Sequence, residues 1–541
     1  MASSPSASPS SRRNKKSPLS KTCAALSLSA LVAVLALAGS SAATSSERSH
    51  HHHAAGAEHA VRSGALPMDG ALKRALAPGQ FASSGFDFVN DKVRGVNLGN
   101  WLVLEPWMMD TNTSTVLNAM AKGAPSSNAI VDEWTMGSYI DKEWMANFFT
   151  QHFDTWINET DFEQIAAAGL NHVRIPIGHW AFEDCIEQGA PYQALNRFDK
   201  LKEGVLLAKK HGIKVWIDLH GTPGSQNGYP GSGHAAPAQW PNTPENYALT
   251  QKAFNYLAQE FTKPEYSGTV TAIQPVNEPI GAQQRSVQQL LNQYYPWSWD
   301  ALAYPNGTDQ PASTVMLTTH DAWQGLAYWE KFYNQTQAQR VIMDCHPYFV
   351  YSDQEKSSKD TFRLNEVCQY GANINRSMNF YPTVAGEWTI GAPQGDNIPS
   401  LRDLPVTDAV TFKSGSPFTA KYMQFLAVNF RAQQQIFEAG SGWLFWNWKH
   451  LAYADQSYQT GMKYGWLPSN AQELKQQPFG SLCSGTKFVT SSAFIAGTGS
   501  SGSGGTGTGA AGSNFLSAKL PAIAAVVSGS AVAVALSSVL L

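Results

Sequence analysis

Short runs of β-branched, aromatic and aliphatic residues recur along the central part of the chain and alternate with amphipathic stretches. Runs that read as strands lie at residues 93–103, 172–177, 213–219, 270–276, 314–318, 341–343, 383–385 and 443–446. Apolar residues recur at spacings of three and four, as in helices, at residues 198–211, 245–261, 323–333 and 420–437. Strands that alternate with helices predict a parallel sheet, and eight such units close into a barrel. The pattern therefore predicts an α/β fold with a single (β/α)₈ TIM-barrel domain over residues 86–488.

Glutamates follow two of the eight runs at the points where these runs end. Glu278 and Pro279 follow the fourth run, and Glu387 and Trp388 follow the seventh. In a (β/α)₈ barrel the C-terminal ends of the strands surround the active site. Cleavage of a glycosidic bond needs two carboxyl groups, because one protonates the departing oxygen while the other stabilises or attacks the oxocarbenium-like carbon. The alternative, two solvated loop glutamates, is less favoured because Pro279, Trp388 and apolar strands flank the pair.

Other strand ends carry Arg174, His220, His346 and Tyr348. An arginine or tyrosine beside a nucleophilic carboxylate would hold it ionised, while a less solvated partner would keep a raised pKa. Taken singly, Arg174 could form a structural ion pair and His220 could be a core imidazole. Metal binding is a rival use for the histidines and glutamates, but the chain has no HExxH or close His-X-His motif. We therefore expect neither a metal nor another cofactor.

The composition narrows the class of ligand. The chain has 541 residues with 38 basic and 41 acidic side chains, and its formal net charge of −3 excludes a nucleic acid held by electrostatics. Charged residues make up 15% of the chain and aromatic residues 11%. That balance favours a secreted protein with an uncharged ligand such as a sugar.

Residues 1–43 have the order of a secretory signal peptide. Five basic residues between positions 12 and 21 precede an apolar run at 23–38 and small residues up to Ala43. An uncleaved signal anchor is less favoured, because the apolar run is shorter than the ~20 residues needed to span a bilayer. Residues 44–85 contain a run of four histidines and no sustained period, which indicates a disordered lead-in or a propeptide.

The C-terminal segments predict attachment to a membrane surface. Residues 489–513 are rich in Gly, Ser and Thr and are expected to form a stalk. Residues 514–541 include an uncharged apolar stretch that resembles a glycosylphosphatidylinositol (GPI) anchor signal. A membrane span is less favoured, because no basic residues follow the stretch to fix its orientation. We expect a monomer at the cell surface or in the cell wall that contacts the membrane only through this anchor.

Cysteines and glycosylation motifs fit an oxidising, extracellular compartment. One of the five cysteines, Cys23, would leave with the signal peptide. The other four allow up to two disulfides with three connectivities: Cys185, Cys345, Cys368 and Cys483. Asn-X-Ser/Thr acceptors for glycans lie at Asn112, Asn158, Asn306, Asn334 and Asn375.

A set of motifs runs in unbroken order from about residue 88 to residue 483. These are residues 93–101 (VRGVNLGNW), 104–108 (LEPWM), 219–228 (LHGTPGSQNG), 277–279 (NEP), 320–322 (HDA), 346–348 (HPY), 386–388 (GEW) and 442–449 (GWLFWNWK). Together they closely resemble the motifs of the fungal exo-β-1,3-glucanases of glycoside hydrolase family 5. A chance match would not reproduce so many motifs in this order.

The resemblance implies a retaining hydrolase with Glu278 as general acid/base and Glu387 as nucleophile. It also implies a subsite for the terminal glucose lined by Arg174, His220, Asn277, His346, Tyr348 and Trp446. Glu105 matches the family carboxylate that binds hydroxyls of that glucose and helps close the pocket for exo action. Tyr229 and Tyr351 match the aromatic pair that clamps the next sugar, and both are phenylalanine in relatives.

Some positions depart from the family pattern. Asn100 replaces a common glycine, and Cys345 stands where a histidine is frequent. Cys368 and Cys483 align with a family disulfide, whereas Cys185 and Cys345 do not correspond to its second bridge, so their pairing stays open. We expect loop insertions at residues 111–140 and 295–311.

The leading hypothesis is an exo-acting hydrolase that releases glucose from the non-reducing ends of β-1,3-glucan during fungal wall remodelling. Variants with the same site are a β-1,3-glucanosyltransferase, a β-1,6-glucanase and a glucosidase of sterol or lipid glucosides. A cell-wall glucan-binding protein without activity is the alternative from another class. It is less favoured because both glutamates are present with their neighbours.

Overall fold

The computed structural model describes residues 85–305, 307 and 313–490, and in them eight parallel strands close into a barrel. The strands are β1 (Val93–Asn97), β2 (His172–Gly178), β3 (Lys214–Gly221), β4 (Val270–Gln274), β5 (Met316–His320), β6 (Val341–Cys345), β7 (Thr383–Ala385) and β8 (Gly442–Phe445). β1 pairs with both β2 and β8, which closes the barrel. The predicted (β/α)₈ fold and its eight strands are confirmed.

Helices follow the strands and cover the outside of the barrel. Those described are α1 (Thr111–Met120), α2 (Glu133–Tyr139), α3 (Lys142–Thr155), α4 (Glu159–Ala167), α5 (Arg197–Lys210), α6 (Pro244–Phe261), α7 (Arg285–Ala303), α8 (Gln335–Ala338), α9 (Asp353–Ser357), α10 (Asp360–Ser377), α11 (Ala420–Ala439), α12 (Tyr458–Tyr464) and α13 (Ala471–Lys475). Local chemistry fixes their starts. In α6, Pro244 occupies the first turn and the Thr243 side chain accepts a hydrogen bond from the backbone N–H of Asn246.

Two sequence predictions about loops and helices were wrong. Residues 323–333 do not form an α-helix, because the backbone at Ala322, Trp323 and Gly325 takes positive φ angles of 52°, 60° and 78°. They hold only a 3₁₀ turn, Leu326–Trp329. The expected insertions are also not simple loops, since 111–140 contains α1 and α2, and α7 extends through the first half of 295–311.

The first strand ends earlier than predicted because Asn100 turns the chain. Its φ is 58°, in the left-handed region that glycine and asparagine tolerate best. This explains why an asparagine can replace the glycine that is common at this position.

The barrel interior is apolar at one end and polar at the other. Apolar side chains inside the barrel form one buried cluster made of Phe88, Val93, Trp216, Ala272, Met316, Ile342, Val384 and Leu444. A fully buried large apolar side chain contributes about 1.5–3 kcal/mol to stability. Because this cluster fills the barrel beside the N-terminal ends of the strands, the polar side chains converge at the C-terminal ends, where the candidate site lies.

A disulfide joins Cys368 of α10 to Cys483, with Cα atoms 5.4 Å apart. It ties β9 (Cys483–Ser484) and its partner β10 (Lys487–Phe488) to the barrel. The second bridge left open by the sequence does not form, because Cys185 and Cys345 are separate buried thiols. The disulfide inferred from the family resemblance is therefore confirmed, and a bridge between Cys185 and Cys345 is excluded in this structure.

The predicted signal peptide (1–43), nearly all of the lead-in (44–85), all but two residues of the stalk (489–513) and the anchor signal (514–541) lie outside the described residues. Within the described part of the chain, no helix combines the length and the hydrophobicity needed to cross a membrane. The four sequons whose asparagines are described lie on exposed residues: Asn112, Asn158, Asn334 and Asn375.

Candidate active site

The two predicted catalytic glutamates meet at the polar end of the barrel. Glu278 follows β4 and Glu387 follows β7, and Glu387 is 4% exposed. Nδ1 of His346 lies 2.6 Å from Oε1 of Glu278 and 3.6 Å from Oε2 of Glu387. These two oxygens are therefore at most about 6.2 Å apart, which is the sum of the two distances. Glu278 has a φ of 44°, a left-handed conformation that costs roughly 1–3 kcal/mol in a non-glycine residue at a functional site.

Arg174 of β2 holds Glu387 in place through a hydrogen bond inside the barrel. Its Nη1 donates to Oε1 of Glu387 at 2.6 Å, and its Nη2 donates to Oδ1 of Asn277 at 2.7 Å. Nη2 also lies 3.0 Å from Oδ2 of Asp218. Burial disfavours the guanidinium ion, but Asp218 and Glu387 hold the pKa of Arg174 above its ordinary value. Arg174 is thus a fully buried cation that orients three of the surrounding side chains.

His220 of β3 contacts Asp218 and Asn277, the same two side chains that Arg174 contacts. Its Nδ1 lies 2.6 Å from Oδ2 of Asp218, and its Nε2 lies 3.4 Å from Nδ2 of Asn277. Burial lowers the pKa of His220, but the negative charge of Asp218 outweighs this and raises it. Asp218 thus orients His220 with one carboxylate oxygen while the same oxygen contacts Arg174.

His346 links the two carboxylates to a third. Its Nε2 lies 3.1 Å from Oδ2 of Asp344, on the side opposite to Glu278. Burial alone would lower the pKa of His346, but the carboxylates of Glu387 and Asp344 raise it well above its ordinary value. A protonated His346 can therefore donate from both ring nitrogens.

The environments of the two glutamates differ. Burial raises the pKa of Glu387, although His346 and Arg174 act in the opposite direction. Burial also opposes ionisation of Glu278, but the hydrogen bond from His346 lowers its pKa. These two directions are the reverse of those expected from the sequence, because His346 lies closer to Glu278, at 2.6 Å, than to Glu387, at 3.6 Å. Glu387 receives hydrogen bonds from Arg174 and from the Tyr348 hydroxyl, the latter at 3.0 Å.

A cavity of about 1470 Å³ opens above the glutamates. Residues predicted for the site that line it are Glu105, His220, Tyr229, Asn277, Glu278, His346, Tyr348, Tyr351, Glu387 and Trp446. Arg174 is the exception, since it lies beneath the cavity and acts through its hydrogen bonds. The structure therefore brings all eleven predicted residues to one place.

Glu105 and Trp446 form one wall of the cavity. Oε1 of Glu105 accepts a hydrogen bond from Nε1 of Trp107 at 3.2 Å, while its Oε2 is buried without a hydrogen-bond partner. Burial raises the pKa of Glu105 to about 7. The rings of Trp446 and His220 are nearly parallel, with centroids 6.2 Å apart. A Cβ added to Gly99 would come within 2.6 Å of the Trp446 ring. Glu105 thus lies beside an aromatic surface and keeps one buried carboxylate oxygen without a hydrogen-bond partner.

Tyr229 and Tyr351 lie on the cavity wall, as predicted for a sugar clamp. Tyr351 is 44% exposed, and its ring centroid lies 5.6 Å from that of Tyr348. The neighbouring Trp448 is fully buried and donates to Asp161, so it does not compete with Trp446 for a place in the cavity.

Four side chains that hold the site together were not predicted from the sequence. Asp218 and Asp344 each precede a predicted histidine by two positions, and Gln274 ends β4. Gln274 accepts from Nε of Arg174 at 3.1 Å and donates to Asp344 at 2.9 Å. Asn97 ends β1 and accepts from Arg174 at 2.9 Å. Because side chains two apart share one face of a strand, the spacing in front of the histidines was a signal that could have found both aspartates.

Glu278, His320 and His346 offer ligand atoms that lie within 4.8 Å of one another. Both nitrogens of His346 already contact carboxylates, and Nδ1 of His320 accepts from the backbone N–H of Ala322 at 3.0 Å. A cation here would have to displace these hydrogen bonds. The absence of a metal stays a prediction.

Comparison with known proteins gives matches at the level of family, relatives and fold. Residues 137–450 match the model of the family described as Cellulase (glycosyl hydrolase family 5). The chain is 32% identical over 409 residues to glucan 1,3-beta-glucosidase 1 of Schizosaccharomyces pombe, covering 74% of this chain and 92% of that protein. It is 35% identical over 384 residues to the probable glucan 1,3-beta-glucosidase A of Aspergillus niger, covering 68% and 86%. The solved rutinosidase from Aspergillus niger has a TM-score of 0.51 at 18% identity, over 68% of this chain and 92% of that one, a match in fold.

Proposed function

This chain belongs to glycosyl hydrolase family 5, and from that premise we propose that it is a retaining, exo-acting β-1,3-glucan hydrolase that releases glucose from non-reducing ends. The substrate is proposed from the relatives, which are named glucan 1,3-beta-glucosidases and share the chain over most of their length. The stereochemistry and the end specificity are argued from the site itself.

The spacing of the two carboxylates carries the proposal of retention. Retaining glycosidases hold their carboxyl groups ~5–5.5 Å apart, whereas inverting enzymes need ~6.5–9.5 Å to admit a water molecule between sugar and base. The contacts of His346 limit the separation between Glu278 Oε1 and Glu387 Oε2 to about 6.2 Å. This upper limit for one pair of oxygens lies below the inverting range, which supports retention.

The contacts of each glutamate support its role. Glu387 is fixed from two sides by Arg174 and Tyr348, so one of its oxygens can attack the anomeric carbon in a defined direction. Glu278 shares a proton with His346 and donates it to the glycosidic oxygen as the bond to the anomeric carbon breaks. Glu278 then accepts a proton from the water that releases glucose from Glu387. Each residue thus returns to its starting state.

Exo action fits a cavity closed beside Glu105. The carboxyl group of Glu105 lines the cavity and can accept a hydrogen bond from a hydroxyl group of the terminal glucose. His220 and Trp446 provide a donor and a stacking surface for the same ring. Tyr229 and Tyr351 are placed to contact the next sugar.

Proton NMR during digestion of laminarin by residues 86–490 tests the proposal, with the anomer released first as the readout. Early release of β-glucose is the expected result. Early α-glucose would contradict retention, laminari-oligosaccharides would contradict exo action, and no turnover would contradict the assignment of substrate.

We further propose that the enzyme is a secreted monomeric glycoprotein at the fungal cell surface, held there by a GPI anchor. The domain order proposed is signal peptide 1–43, lead-in 44–85, hydrolase domain 86–488, stalk 489–513 and anchor signal 514–541. The Cys368–Cys483 disulfide supports an oxidising compartment. Release of the protein from intact cells by a phosphatidylinositol-specific phospholipase would test the anchor, and retention after this treatment would exclude it.

A further inference from the structure

We propose that the segment Asp132, Glu133 and Trp134, which we name the clasp, holds two walls of the cavity against each other and thereby restricts cleavage to chain ends. The inference rests on the proposed function and names the residues that enforce its exo character. None of the three is among the residues that line the cavity, so they are positioning residues.

The first wall is the loop at residues 229–238, and it lies directly against Glu105. Tyr229, Pro230 and Gly231 of this loop line the cavity. A Cβ added to Gly231 would lie 3.2 Å from Oε1 of Glu105 and 3.3 Å from Nε2 of His220. The space between Gly231 and Glu105 is therefore barely large enough for one methyl group, so a glucan chain cannot pass there while the loop stays in place.

Two of the clasp residues hold that loop. The Trp134 ring stacks on the His234 ring with centroids 3.9 Å apart and planes 6° from parallel. The backbone N–H of Trp134 donates to the carbonyl oxygen of Gly233 at 3.0 Å. The backbone N–H of Ala235 donates to Oδ2 of Asp132 at 2.5 Å. Three consecutive loop residues are thus bound to the clasp.

The third clasp residue holds the opposite wall. Oε1 of Glu133 accepts from the backbone N–H of Leu104 at 2.8 Å, immediately before Glu105. Glu133 is buried and pairs with the buried Arg197 at 2.6 Å. Arg197 in turn donates to the carbonyl oxygen of Leu102 at 2.7 Å. The clasp therefore fixes the strand-like segment that carries Glu105.

Aromatic packing anchors the clasp to the barrel. The Trp134 ring packs edge-on against Tyr192 at 5.6 Å, and Tyr192 stacks on Trp180 at 4.6 Å. A Cβ on Gly233 would come within 2.4 Å of Trp180, so the loop packs on the same ring. Loss of the Trp134 ring removes its stack with His234 and its contact with Tyr192 but leaves the hydrogen bonds from Asp132 and the Trp134 backbone, so the loop should loosen while the barrel stays folded.

The chemical consequence concerns which bonds reach the glutamates. With the loop in place, only a terminal glucose fits between Glu105 and the catalytic pair. With the loop released, a chain can extend past Glu105, and internal bonds can reach Glu278 and Glu387. The catalytic residues themselves are unchanged by this release.

Kinetics of Trp134→Ala on two laminari-oligosaccharides test the proposal, one unmodified and one with a benzyl ether on its non-reducing glucose. We expect the wild type to spare the capped substrate and Trp134→Ala to cleave it internally. We also expect kcat/KM for the unmodified substrate to fall roughly 10- to 100-fold, mainly through KM, because a displaced wall misplaces the glucose. Trp144→Ala is the matched control, because it removes a comparable stack with Phe148 at 5.6 Å and lies away from the cavity.

A conservative variant and a second stack variant complete the design. Trp134→Phe should spare the capped substrate, as the wild type does. His234→Ala removes the other ring of the same stack and should cleave the capped substrate internally, as Trp134→Ala does. It therefore tests the proposal even if Trp134→Ala does not fold. If both stack variants spare the capped substrate and keep the KM of the wild type, the clasp has no such role. If the wild type itself cleaves the capped substrate, the proposed exo function fails instead.

Discussion

Nδ1 of His346 lies 2.6 Å from Oε1 of Glu278, a contact that joins the proposed acid/base carboxyl to an imidazole whose pKa is raised by Glu387 and Asp344. Asp344 holds the other ring nitrogen at 3.1 Å. The histidine is therefore fixed between two carboxyl groups and cannot rotate without breaking one of these contacts. Several properties of the enzyme should depend on this arrangement.

The two glutamates should differ in their response to substitution by glutamine. Glu387→Gln removes the proposed nucleophile, so we expect no covalent glycosyl-enzyme and a loss of kcat of at least about 10³-fold on every substrate. Glu278→Gln removes the proposed proton donor, so aryl glucosides with good leaving groups should be cleaved far better than laminarin. Azide should partly rescue Glu278→Gln. Equal losses on all substrates in both variants would contradict the roles.

The pH profile of kcat/KM should be bell-shaped with both limbs displaced upward. Glu387 must be ionised to attack, and burial raises its pKa, so the acidic limb should lie above 4.5, the ordinary value for glutamate. The alkaline limb should lie above 6.5, because the carboxylates raise the pKa of His346. His346→Gln should move the alkaline limb to lower pH. An unmoved limb would show that His346 does not hold the proton.

Glu105 should weaken the fold at high pH. Burial raises its pKa from 4.5 to about 7, so the folded state favours the protonated carboxyl. The free energy of unfolding is highest below pH 4.5, where Glu105 is protonated in both the folded and the unfolded state. It falls as the pH rises through about 7, because a buried carboxylate must then form in the folded state. Glu105→Gln should therefore raise the free energy of unfolding at pH 8 by up to roughly 3 kcal/mol, which raises Tm. At pH 4 it should leave both unchanged.

Thermal unfolding at both pH values checks this prediction, with the exposed Glu245→Gln as control. The same Glu105→Gln variant should bind glucose less well, because an amide nitrogen replaces one of the two oxygens proposed to accept from the sugar. An equal Tm change at pH 4 and pH 8 would contradict the titration of Glu105.

The Cys368–Cys483 disulfide should contribute more to the free energy of unfolding than either buried free thiol does. Cys368 and Cys483 are 115 residues apart, and in the chain-entropy account such a loop is worth roughly 5 kcal/mol. Cys368→Ser should lower the free energy of unfolding by about that amount in denaturant titrations. Cys185→Ser, at a buried unpaired thiol, is the control and should cost much less. Similar losses in both variants would contradict the assigned pairing.

Much of the fold and of the candidate site could be predicted from the sequence. The eight strand-like runs were found because buried parallel strands are locally apolar, and Glu278 and Glu387 were found because they end two such runs. The helix expected at 323–333 failed because left-handed residues at 322 and 323 interrupt a pattern that periodicity alone cannot distinguish from a helix.

The sequence alone therefore determined the barrel, its polar end and the two glutamates at strand ends, since each depends on patterns within a few positions, whereas Glu105, Tyr229 and Tyr351 came from the family resemblance. Only the tertiary structure decided which carboxylate contacts which basic side chain, as with Asp218, which contacts both Arg174 and His220. It alone also joined Trp134 to His234, which lie 100 positions apart. The physical reason is that such distances depend on how the barrel closes and how its loops pack, and neither is encoded in local periodicity.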